Sequence, residues 1–283
     1  MGRLRSIWRI LLAAYHRFDG HDGSAMAGYI AFASFLSLFP FAIFFSALAG
    51  ILLGPNETQR ILDTLVDLAP EHVAKTISPV LEEVIGRDRG GILTFAGLGA
   101  IWVASNAVEA VRIGFDRAYE APETRSFLRR RFTAIGFVFF AALVFALLGA
   151  LIIAAPLVIR LTTEITGFAP PFGINILRYA LGLSAFAFFL YLVNRILPSR
   201  APKSRACTPG IVVSTLLWIL GASLFSVYLA FAPDYTITYG AFAGVIVTLL
   251  FFYLTAAVLI YGAEINAALL ATRGAVASQT EET

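Results

Sequence analysis

The chain has little of what a disulfide-stapled, catalytic or metal-binding domain is made from. Its one cysteine, Cys207, rules out an internal disulfide framework. Histidine is nearly as scarce, and His16, His21 and His72 do not give the cluster of Asp, Glu or His that a metal-dependent hydrolase presents on an accessible surface. The one dense group, Asp19, His21 and Asp22, sits among glycines ahead of a long apolar run and reads as a turn at a helix start. Nothing resembles a nucleotide-binding loop, so no nucleotide-powered domain lies in this chain. There is no tandem repeat and no linker that would separate two domains. Charged residues are also few, 14% against roughly 25% in a soluble domain. No enzyme activity, metal or cofactor is expected.

What fills the chain instead is apolar sequence. Hydrophobic residues make up 59% and the mean hydropathy is +0.81. Six long runs stand out, at about 28–53, 91–113, 132–159, 174–197, 209–231 and 241–270, each near or above the roughly 20 residues that cross a bilayer as a helix. With no water in hydrocarbon to satisfy a bare backbone, the spans must be helices or a closed barrel. Uninterrupted runs without alternation select helices. The expected fold is all-α, a polytopic six-helix bundle forming one integral-membrane domain over 1–271. A polar, disordered cytoplasmic tail is expected at 272–283.

Orientation follows from the basic residues. Fifteen of 21 fall on one side, in the segment before the first span, the second and fourth connections with their span ends, and the tail. The positive-inside rule places that side, with both termini, in the cytoplasm. The second span is interrupted by Asn106, Glu109 and Arg112, yet without it the charge alternation collapses. The basic pI of about 9.1 needs no nucleic acid, because arginines beside span ends are explained by topology and by anionic lipid.

Outside the spans, Leu4, Ile7, Trp8, Leu11, Leu12, Tyr15 and Phe18 recur at spacings of three and four, with Arg3, Arg5, Arg9, Arg17 and His16 mostly opposite. This is the pattern of a basic amphipathic helix lying in the interface or packed beneath the bundle. No small-residue cleavage site ends it, so it does not read as a signal peptide. The first outer connection, residues 55–90, carries helical punctuation at Ser78 and Pro79 and is expected to hold short amphipathic helices.

Polar groups inside spans are the candidates for function, since burying them in a membrane costs free energy. Asn106, Glu109 and Arg112, then Asn194 and Arg195, then Glu264 and Asn266 all come near the inner ends of their helices. Glu109 and Arg112, three apart, are expected to pair on one helix, and Glu264 to pair with Arg195 or Arg112 across helices. Two uses are open for this inner polar cluster: ion pairs that clip helix ends together, or a vestibule for an anionic head group. Pro40, inside the first span after Ser34 and Ser37, is a hinge candidate or a static bend.

Two stretches carry a resemblance. AGYIAFASFLSLFPFAIFF from Ala27 and YGAFAGVIVTLLFFYLTAAVLIYGAEINAALL from Tyr239 resemble the YihY/BrkB family of bacterial inner-membrane proteins. The matching positions are Ala27, Tyr29, Ser37, Leu38 and Pro40 at one end and Gly262, Ala263, Glu264 and Asn266 at the other. The second span, WVASNAVEAVRIGFDRAYE from Trp102, is similar to the family's pattern as well. The resemblance implies a six-helix, multi-pass protein of the bacterial inner (plasma) membrane with both termini inside. It also implies links to serum resistance and to lipid movement, and a former ribonuclease BN label that the residues do not support. The expectation is a transporter or flippase for an amphipathic anionic lipid or envelope component. A non-transporting membrane scaffold or lipid-binding envelope protein is the alternative, and an ion-coupled carrier a minor third. Membrane lipids are the expected partners, a homo-oligomer is left open, and no nucleic acid is expected.

Overall fold

A computed structural model describes residues 2–53, 90–149, 172–199, 204–231 and 242–281, with residues 151, 159 and 163 in addition. Seven long helices account for nearly all of them: α1 (Gly2–Gly20), α2 (Gly23–Leu53), α3 (Gly90–Ala118), α4 (Phe127–Gly149), α5 (Phe172–Ile196), α6 (Ser204–Phe231) and α7 (Ala243–Glu281). Five are long and apolar enough to cross a membrane over Gly23–Pro40, Phe127–Gly149, Ile176–Ile196, Thr208–Leu229 and Ala243–Thr272. The remaining long bundle helix, α3, carries Glu109, Arg112, Asp116 and Arg117 in its final third. It is the span whose charge the sequence flags, and it packs lengthwise between α2 and α4.

The helices form a closed ring. Each of α2 to α7 packs on its neighbour in the chain, α7 returns to α2, and α3 also touches α7. Small side chains line much of the seams: Ala27, Ala31, Ala104, Ala110, Ala142, Ala256 and Ala263 are all buried, beside a few large ones such as Phe115, Phe137 and Ile260. Many large apolar side chains point the other way, with Phe32, Leu143, Phe145, Leu181, Phe188, Leu216 and Leu224 exposed. In water that inversion would be costly, but lipid is as apolar as leucine, so close backbone approach and dispersion hold the helices together. Gly210 of α6 and Gly262 of α7 meet so tightly that a Cβ on Gly210 would lie 2.1 Å from the Gly262 carbonyl oxygen. Hydroxyls in the bundle are tied to the preceding turn, as with Thr215 to Ile211, Ser223 to Ile219 and Thr248 to Gly244. The Trp218 indole N–H is given to Thr255.

Several element ends differ from the expected ones. α2 starts at Gly23, α3 runs to Ala118, α4 starts at Phe127 and α6 starts at Ser204. The apolar run marks where a helix meets hydrocarbon, whereas the helix itself continues into the polar layer as long as its hydrogen bonds do. The same holds for the tail: where disorder is expected from Thr272, α7 continues to Glu281. Residues 55–89, with the amphipathic helices expected there, lie outside the described residues.

α1 matches its amphipathic pattern and divides its apolar residues between two faces. Ala14 is fully buried, Phe18 meets Tyr261 of α7 edge to face, and the Tyr261 hydroxyl donates to the Leu11 carbonyl. Trp8, Leu12 and Tyr15 stay exposed. One flank docks on the bundle, as the packed reading expects, and the other stays exposed. α2 is continuous through Pro40. The nearby Ser37 hydroxyl donates to the Val103 carbonyl of α3, 3.0 Å away, and so joins two helices instead of filling the gap left by the missing proline N–H.

Candidate functional site

Two chain turns assemble one end of the bundle. The first, between α1 and α2, puts Asp22 in the left-handed region with φ 55°. Gly23 follows because Phe18 lies against it: a Cβ there would sit 2.5 Å from the ring. The second ends α3, where the Ala121 N–H reaches the Asp116 carbonyl and the Glu120 N–H reaches that of Arg117. With Glu120 left-handed at φ 49°, this is a Schellman stop occupied by a residue other than glycine. The turns bring His21 and Glu120 to the part of α7 that carries Glu264.

There the Glu264 carboxylate is fully buried. Arg17 Nε donates to one oxygen at 3.1 Å, and His21 Nδ1 lies within hydrogen-bond distance of the other at 2.7 Å. Arg17 also donates to the Ala118 carbonyl at 3.1 Å and pairs with Glu120 at 2.9 Å, while His21 Nε2 lies 3.6 Å from Glu120. The expected pairing of Glu264 with Arg195 or Arg112 is therefore corrected. Arg195 is exposed on α5, and Arg112 is occupied by other acids. The partners come from α1 and the turn after it, which spacing along the spans could not reveal.

Arg112 forms a second centre. Its buried guanidinium receives Glu109 in a two-point pair at 2.8 and 2.9 Å, then Asp116, then Glu123 at 2.6 Å. The same-helix pair with Glu109 is the one the spacing predicts. Asp116 accepts the Ser199 amide and hydroxyl at 2.6 and 2.8 Å. Arg125 extends the network, donating to Glu123, to the Leu197 carbonyl at 2.8 Å and to the Ser199 hydroxyl at 3.2 Å. The ends of α3 and α5 and the intervening turn are thus laced together. Partial burial works against the charge on Glu123, but hydrogen bonds from the Arg125 side chain and backbone and from Ser199 outweigh it and hold the carboxyl at about 2. Asp116, Glu123, Ser199, Arg17 and His21 were not among the sequence candidates, since they lie outside the apolar runs that define intramembrane polarity.

The amides form a third group. Asn266 is fully buried and its Oδ1 accepts the Gly210 N–H at 2.7 Å, while its Nδ2 donates toward Tyr119 at 3.3 Å and Asn194 at 3.5 Å. The Tyr119 hydroxyl donates to Asn194 at 3.1 Å. Asn106 stands apart: it is exposed and accepts from Arg131 at 2.8 Å. Of the seven candidates, Arg112, Asn194, Glu264 and Asn266 are buried and Glu109 is partly buried, whereas Asn106 and Arg195 are exposed.

The profile of the family described as "Virulence factor BrkB" matches residues 14–283. The chain belongs to that family. It is similar to the ribonuclease-like protein YfkH of Bacillus subtilis (strain 168), 32% identical over 259 residues that cover 90% of this chain and 93% of the relative. A UPF0761 membrane protein of Coxiella burnetii (strain RSA 493 / Nine Mile phase I) is 26% identical over 89% of this chain and 90% of its own length. A UPF0761 membrane protein of Halorhodospira halophila is 26% identical over 86% of this chain but only 53% of its own length. No solved structure matches. The family match starts within α1 and includes Arg17, His21 and Glu264. The chain is a multi-pass helical membrane protein of the BrkB type.

Proposed function

We propose that this protein moves an amphipathic, anionic lipid or envelope component across the bacterial inner membrane, with both termini in the cytoplasm, and that the charged end of the bundle is its closed inner gate. Glu264 carries the reading: a carboxylate with no exposure, on a long apolar helix, held by an arginine of an amphipathic helix and a histidine of the turn that follows it. Charge at such depth is costly and in membrane proteins often marks a pathway. Ion pairs are also exchangeable, so rolling α1 away would offer Arg17 to a phosphate in place of a carboxylate. With no nucleotide-binding loop in the sequence, movement would follow a gradient or be driven by a partner. The YfkH name includes "ribonuclease-like", but here Glu109, Asp116, Glu123 and Glu264 are each engaged by arginine, which suits a membrane carrier better than a metal-using nuclease.

The test is reconstitution into liposomes with a leaflet-resolved assay of fluorescent phosphatidylglycerol and phosphatidylcholine. The wild type is expected to speed phosphatidylglycerol movement, and folded Glu264→Gln and Arg17→Gln variants to alter the rate. Wild-type liposomes no faster than protein-free ones would sink the proposal. That result would favour a scaffold, a reading supported by the internal partners of Glu264 and Arg112. Reporters after Thr283 and near Lys203 should read cytoplasmic and one near Lys75 external, and the reverse would overturn the orientation.

A further inference from the structure

We infer that the start of α4 and the facing stretch of α3 form a binding site for the phosphate of an anionic glycerophospholipid, separate from the Glu264 and Arg112 centres. Arg129, Arg130 and Arg131 are consecutive and fan around the first turns of α4. The Arg131 guanidinium carbon sits over the Trp102 ring, 3.6 Å from its centre, and the side chain donates to the Asn106 side chain and the Trp102 carbonyl. Arg130 reaches Glu109 at 3.3 Å, but Glu109 is already held at two points by Arg112. Arg129 is exposed and forms no ion pair among the described residues. Among the described residues the patch therefore keeps uncompensated positive charge.

The surroundings of the triplet point to lipid as the source of an anionic acceptor. A phosphodiester supplies several acceptor oxygens to an exposed guanidinium such as that of Arg129. Around the arginines, Trp102, Phe127, Leu128 and Phe132 are 49%, 57%, 65% and 72% exposed. A soluble anion has no use for that apolar rim, whereas acyl chains and glycerol do, and tryptophan beside arginine suits the head-group level. The site is an equilibrium property that a scaffold would share, so it does not depend on the transport reading.

The experiment uses the full chain with Trp8→Phe and Trp218→Phe, leaving Trp102 as the reporter, in nanodiscs of phosphatidylcholine. Phosphatidylglycerol with brominated acyl chains is expected to quench Trp102 more than brominated phosphatidylcholine at equal mole fraction. Its apparent affinity should fall about fivefold for each arginine lost in Arg129→Gln and in Arg129→Gln/Arg130→Gln, and Arg129→Lys should retain most of it. Since Arg129 is exposed and forms no ion pair among the described residues, its variant keeps the test open if the double variant does not fold. Equal quenching by the two lipids, a preference indifferent to Arg129, or loss of the preference on adding inorganic phosphate at constant ionic strength would each overturn the site.

Discussion

At Glu264 a single buried carboxylate is met by Arg17 and His21, residues more than 240 positions away in the chain. At Arg112 a single buried guanidinium is met by three carboxylates that lie three, four and eleven positions away. The two centres share one end of the bundle and have opposite charge plans. Arg112 gathers acids from its own helix and the turn after it, so the centre is largely complete once α3 and its Schellman stop exist. Glu264 is unsatisfied until the first helix docks on the last. One centre fixes a helix end, and the other closes the chain into a unit.

That contrast is tested most severely at Arg112. Replacing it with Ala leaves Glu109, Asp116 and Glu123 facing one another on elements that cannot separate, and breaking such a buried set costs about 3–5 kcal/mol. A large drop in the detergent-solubilised unfolding temperature is expected, with only partial recovery by Lys, whose ammonium cannot match the two-point Glu109 pair. An Arg112→Ala protein as stable as wild type would show that the centre is not structural.

A smaller loss is expected at Glu264, because Arg17 keeps Glu120 and the Ala118 carbonyl. Glu264→Gln should cost about 1–3 kcal/mol and loosen α1 selectively. Hydrogen exchange should rise in α1 ahead of α3 and α5. Uniform loosening of all helices would erase the distinction between the two centres.

The smallest effect concerns pH. Glu123 lies in the turn outside the spans, and its folded pKa of about 2 is below its unfolded value. Its contribution is therefore present above the unfolded pKa of about 4.5 and is lost as pH falls from there toward about 2. Being partly exposed, the pair with Arg125 is worth a few tenths to about 1 kcal/mol. Stability curves of wild type and Glu123→Gln should converge between about pH 5 and 3, and curves that stay parallel through that window would show that Glu123 contributes nothing through its charge.

The sequence alone determined the solvent and the architecture. Long apolar runs require membrane helices because an unpaired backbone has no partner in lipid, and the helical periodicity around Trp8 and Tyr15 marked α1 as amphipathic. It also determined the Glu109–Arg112 pair, since a spacing of three on a helix is local geometry. Hydropathy located the spans but not the helix ends, because a helix leaving hydrocarbon keeps its hydrogen bonds in the polar layer. The partners of Glu264 were decided by tertiary structure. Arg17 and His21 lie in a segment that reads only as a basic flank and a turn, and nothing local ties them to residue 264. Whether Asn194 and Asn266 meet, whether Arg195 turns in or out, and how closely Gly210 approaches Gly262 depend on helix rotation and crossing. Those are set by the shapes of both surfaces at each seam, and a one-dimensional pattern specifies only one surface at a time.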